Sequence, residues 1–76
     1  MKKGYLILLE PTATGFCAYS PDLPGCVTTG TTRQEAETNM REAVDLHVDG
    51  LRQAGRAVPR PRIVSTRIDI AERLAV

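Results

Sequence analysis

Two thiols and one imidazole, Cys17, Cys26 and His47, are the side chains of this 76-residue sequence best suited to soft-metal binding or nucleophilic attack. A zinc centre needs four ligands that converge, commonly with two cysteines held at C-x-x-C spacing. Here the cysteines are nine residues apart, and His47 falls on the apolar stripe of a helical repeat, so the three read as two small thiols and a packed imidazole. Cysteine catalysis would need His47 to activate a thiol and a third group to orient His47, and no spacing supplies either. A magnesium-dependent nuclease needs several carboxylates on one site. Glu10, Asp22 and Asp69 are spread one to an element, and the phosphate-binding glycine motifs are absent. The expectation is a chain with no catalytic residues, no metal and no cofactor.

Charge is the remaining chemistry. Arg56, Arg60, Arg62 and Arg67 form a basic run that could meet phosphate, although no aromatic residues interleave with it for base stacking. Glu35, Glu42, Asp45 and Asp49 recur at helical spacing on the side opposite an apolar stripe. That acidic face has two readings, a solvated side or a docking surface for a basic partner, whose encounter complementary charge would speed.

The elements that must carry these residues follow from their periodicity. Tyr5 to Glu10 is a short apolar run bounded by Gly4 and Pro11, the mark of a strand. A turn through Gly15 leads to a second strand, Phe16 to Tyr19, and Cys26 to Thr29 is a third. Between them Pro21-Asp-Leu-Pro-Gly25 reverses the chain, its prolines fixing φ and donating nothing to a ladder. Asp22 and Leu23, at the tip of that reversal, are candidates to touch a partner. Connections this short make an antiparallel meander.

Thr32-Arg-Gln-Glu35 is then a capping box, and Ala36, Met40, Ala43, Val44, His47, Leu51 and Ala54 repeat at threes and fours up to Gly55, a helix stop. After a proline-rich link, Ile63 to Ile70 alternates polar and apolar residues as a strand does, and residues 71–76 continue it or fray. The predicted fold is α+β, in the order β-β-β-α-β, with one helix laid across a small antiparallel sheet and a single domain over residues 1–76.

At 76 residues and 42% apolar composition the core is small, and pairing into a homodimer or higher homo-oligomer is a usual remedy. A net charge of +1 provides no strong field toward nucleic acid or an anionic membrane. The basic start and apolar run at Tyr5–Leu9 break at Glu10-Pro11, too early for a signal peptide, so the cytoplasm is the expected compartment and the thiols are expected to be free.

One combination is specific. Tyr5-Leu-Ile-Leu-Leu-Glu10, Gly15-Phe-Cys-Ala-Tyr19, Pro21-Asp-Leu-Pro-Gly-Cys26, Thr29-Gly-Thr-Thr32 before Glu35-Ala36, and Val58-Pro-Arg-Pro61 after Gly55 together resemble the N-terminal domain of HicB. HicB is the antitoxin of the bacterial HicA–HicB toxin–antitoxin pair, and the resemblance covers residues 5 to 70. It implies a trimmed ribonuclease H-like fold without that enzyme's carboxylates. It also implies self-association and, as partner, a HicA-like toxin: a small basic RNA-cleaving protein whose action the antitoxin blocks. Many members continue into a helix-turn-helix or ribbon-helix-helix segment that binds operator DNA. The sequence at hand ends at Val76, and direct DNA binding is not expected of it.

The favoured expectation is an antitoxin-like interaction protein using Asp22, Leu23, Glu35, Glu42, Asp45 and Asp49. The alternatives are a nucleic-acid-binding regulator using Arg56, Arg60, Arg62 and Arg67, or a vestigial ribonuclease H-like domain.

Overall fold

A computed structural model of the chain describes residues 4–71. Three strands, β1 (Leu8–Pro11), β2 (Phe16–Tyr19) and β3 (Val27–Gly30), form an antiparallel sheet in the order β1-β2-β3, crossed by one helix, α1 (Arg33–Gln53). The register pairs Leu9 with Ala18 and Ala18 with Thr28. Side chains alternate across a sheet, so Leu9, Ala18 and Thr28 share the face under α1, while Leu8, Tyr19 and Val27 share the other.

The first strand begins later than its apolar run. Leu8 pairs with Tyr19, the last residue of β2, and the chain turns away at Ser20. Residues 5–7 are left without a ladder partner, yet they stay half-buried, and Tyr5 and Ile7 pack against the core. The third strand likewise starts at Val27, one residue after Cys26.

The helix starts where its capping residues place it. Thr32, extended at φ −126°, accepts the Glu35 N–H on its hydroxyl at 3.0 Å. The Glu35 carboxylate reaches back one residue further than a capping box usually does. It accepts from the Thr31 N–H at 3.0 Å and from the Thr31 hydroxyl at 3.2 Å. At the other end Gly55 takes φ +70° and donates to the Arg52 carbonyl, while Arg56 donates to the Leu51 carbonyl. This is the Schellman closure of a helix end, and it favours glycine because a side chain there would be strained.

The core is built around Ala18, Leu23, Cys26, Ala36 and Met40, all buried. Phe16, Leu9, Ala43 and Val44 pack at its margin. Small residues let the helix approach the sheet closely: a Cβ added to Gly30 would sit 2.8 Å from the Ala36 Cα and closer still to its backbone nitrogen. The approach is lopsided. The helix packs most closely over β3 and β2 and least over β1, and Asn39 on α1 donates to the Thr29 carbonyl of β3 at 2.9 Å.

The strand expected over Ile63–Ile70 is not formed: among the described residues nothing after α1 has regular structure. A strand exists only through its ladder, and this segment pairs with no part of its own sheet. Val64, Ile68 and Ile70 are 90%, 82% and 72% exposed. Among the described residues the sheet therefore has three strands. The expected continuation through residues 72–76 lies outside the described residues.

Candidate partner-binding surface

The Pro21–Gly25 reversal is divided: Pro21, Pro24 and Gly25 are exposed, and Asp22 and Leu23 turn inward. Two successive turns, with Leu23 N–H donating to the Ser20 carbonyl and Cys26 N–H to the Leu23 carbonyl, fold the segment back on itself. They drive the Leu23 side chain into the core, where it is 1% exposed. Asp22 is also buried, and its Oδ2 accepts the backbone N–H groups of Arg62 and Ile63, both at 3.1 Å. The expectation that Asp22 and Leu23 meet a partner is therefore corrected. Leu23 fills the core, and the Asp22 carboxylate is taken by two amides from forty residues on. Tyr5 adds a second tie to the same stretch, its hydroxyl donating to the Pro59 carbonyl.

On α1 the acidic residues stand where the wheel places them. Glu42, Asp45 and Asp49 are all exposed, Asp45 on the wall of a groove that Tyr5, Ile7, Met40 and Val44 also line. Glu35 is exposed too, but its carboxylate is committed to Thr31. Sequence periodicity missed one neighbour. Leu46 is 74% exposed and lies three to four residues from Glu42 and Asp49, on the same face. An apolar side chain ringed by carboxylates is the composition of an interface centre, a greasy anchor inside a polar rim. Its signal was present: Leu46 stands out of phase with the stripe through Ala43, Val44 and His47.

The arginines do not gather into one patch. Arg60 and Arg62 line a groove of about 490 Å³ with Pro21, Pro24 and Pro59, and Asp22 shares its wall. Arg56 belongs to the helix end, and Arg67 to the exposed segment beyond.

The residues considered for chemistry stay apart. Both cysteines are free; Cys26 is buried, and burial raises its thiol pKa, which keeps it protonated and unreactive near neutrality. Cys17 is half-buried in β2, and His47 is half-buried on α1. Among the described residues no three of His, Cys, Asp and Glu come together as a metal site would require. Among the described residues no helix is long and apolar enough to cross a membrane.

A three-stranded antiparallel meander crossed by one helix defines a small α+β domain. Residues 5–73 match the family described as HicB_like antitoxin of bacterial toxin-antitoxin system, and the chain belongs to that family. A chain of the HicA3 and HicB3 toxin-antitoxin complex superposes with a TM-score of 0.69 at 33% identity, covering 79% of this chain and 70% of that one. Among curated relatives, an uncharacterized 14.9 kDa protein from the rep-hol intergenic region of Haemophilus phage HP1 is 31% identical over 68 residues, 90% of this chain. The chain spans only 51% of that phage protein. A UPF0150 protein of Thermoplasma acidophilum is 32% identical over 57 residues, 74% of this chain and 83% of its own length.

Proposed function

We propose that this chain is an antitoxin that binds and neutralises a small RNA-cleaving toxin of the HicA kind, acting in the cytoplasm as a non-catalytic HicB-like domain over residues 1–76. The observation that carries this reading is the similarity to a chain of the HicA3 and HicB3 complex, at 33% identity across 79% of the sequence. Such proteins neutralise by contact, so the working part is a surface. The outer face of α1 supports that role, with Glu42, Asp45 and Asp49 around the exposed Leu46. A basic toxin would be drawn to that charge over roughly a Debye length, about 8–10 Å at ordinary salt, and held by the leucine once water is expelled. The free thiols, the half-buried imidazole and the scattered carboxylates take no part.

Two experiments test it. Co-expression with a HicA-type toxin should restore growth that the toxin alone arrests, and a folded chain that leaves the arrest unchanged would count against the proposal. Reversing Glu42, Asp45 and Asp49 to lysine should slow toxin association by about tenfold or more at low salt while leaving the melting temperature nearly unchanged. Equal association rates would take α1 out of the interface.

A further inference from the structure

The groove between the Pro21–Gly25 turn and residues 59–63 is shaped in advance of any ligand. It holds about 490 Å³, within the range of roughly 300–1,000 Å³ usual for ligand sites. Its two walls are tied together. Asp22, on the turn, accepts the amides of Arg62 and Ile63, both at 3.1 Å. The Tyr5 hydroxyl donates to the carbonyl of Pro59 on the other wall. Pro21, Pro24 and Pro59 fix φ along both sides, and Gly25 takes φ +85° in the turn. A groove tied at these points needs little ordering when it is filled.

Its lining is of two kinds. The proline rings offer flat apolar surface with no backbone N–H, and Ile63, 41% exposed, extends that surface. The guanidinium groups of Arg60 and Arg62, both exposed residues, supply positive charge. Arg62 meets Asp22 through its backbone amide, so its guanidinium is not spent on the one acid of this lining. Asp22 in turn is only 7% exposed, and two amides already answer its charge. An incoming group therefore meets apolar surface edged by two cations.

We propose that this groove docks an extended segment of a partner protein in which a carboxylate neighbours a large apolar side chain. The apolar group lies against the prolines and Ile63, and the carboxylate against Arg60 and Arg62. Guanidinium groups pair carboxylates through two parallel bonds, and clustered arginines are a common reader of acidic motifs. Nucleic acid fits less well. A phosphate backbone asks for a row of cations, whereas Arg56 belongs to the helix end and Arg67 to the segment beyond the groove. The groove is opposite in charge to the Leu46 face of α1, so its occupant is not the basic partner of that face. The assignment is independent of toxin binding and is tested without any toxin.

The probe is the tetrapeptide acetyl-Glu-Leu-Glu-Leu-amide, titrated into the isotope-labelled full chain and followed by amide chemical shifts. Shifts should concentrate on the non-proline residues of 22–25 and 60–63 and saturate at roughly millimolar peptide or below. The Arg60→Ala, Arg62→Ala double variant should bind at least about tenfold more weakly, with unchanged helical circular dichroism because both residues are exposed. The uncharged peptide acetyl-Gln-Leu-Gln-Leu-amide should show the same loss on the wild type, which keeps the test decisive if the variant fails to fold. No shifts at about 10 mM peptide would overturn the proposal. So would shifts centred elsewhere, or binding that survives loss of either the arginines or the carboxylates. Inorganic phosphate or hexauridylate moving the same amides at lower concentration than the peptide would overturn the assignment to an acidic segment.

Discussion

The Pro21–Gly25 turn and the segment 63–70 make opposite uses of their residues. The turn is five residues long, with two prolines and a glycine, and local chemistry alone marks it as surface. It nevertheless contributes a core leucine and a buried carboxylate. The segment has the alternation of a sheet strand, and local chemistry marks it as half-buried. It lies in solvent. The difference is one of partners. Leu23 finds Met40 and Ala18 in its own chain, and Asp22 finds two amides forty residues away. The apolar side chains of the segment find nothing, because no edge of the sheet is paired with them. Pattern states which side of a segment is apolar; only the rest of the molecule states what covers it.

The largest expected effect tests the turn. Leu23→Ala should cost about 3 kcal/mol, since a fully buried leucine loses both its transfer free energy and its packing. Chemical denaturation measures this, and a cost below about 1 kcal/mol would mean that Leu23 is not a core residue. Asp22→Ala should cost about 2 kcal/mol, because two amide bonds to a carboxylate are lost from a buried site. The same variant should release the link between turn and segment, and faster tryptic cleavage after Arg62 would report it. Unchanged cleavage would show that the segment is held by other means.

Smaller effects sharpen the frame around the two regions. Thr32→Ala should lower stability by about 1 kcal/mol through loss of the helix cap, seen as a lower midpoint in the same denaturation. The smallest concerns Tyr19 on the open face of the sheet, whose hydroxyl donates to Glu10 Oε1 at 2.6 Å. That hydrogen bond, with the negative charge of Glu10, raises the Tyr19 pKa. A raised pKa means that the folded state favours the protonated phenol. The contribution is therefore complete below about pH 10, the ordinary tyrosine value, and is lost as pH rises through the higher folded value. Tyr19→Phe should flatten the alkaline fall in melting temperature and change little at pH 7.

Much of this was legible in the sequence, for physical reasons that can be stated. The helix was readable because its stripe, its Thr32 cap and its Gly55 stop agree with one another, and consistent local signals seldom mislead. The second strand was readable in full. The first begins three residues later than expected, because β2 ends at Tyr19 and no local signal shows where a partner stops, and it runs one residue further, through Pro11, which pairs with Phe16. The acidic face was readable from spacing. Its exposed Leu46 was passed over, although it breaks the phase of the stripe. Asp22 was misplaced because its partners, Arg62 and Ile63, are distant in sequence. Leu23 carried a hint: an apolar residue between two prolines has little reason to stay in water.

The proposed role is to cover a toxin by contact, without catalysis. Its most direct test is a titration of purified chain against a purified HicA-type toxin, reading RNA cleavage. Cleavage should fall to background once chain and toxin subunits are present in stoichiometric amounts, and the chain alone should cleave nothing with or without magnesium. Full toxin activity in the presence of excess folded chain would contradict it, as would magnesium-dependent cleavage by the chain itself.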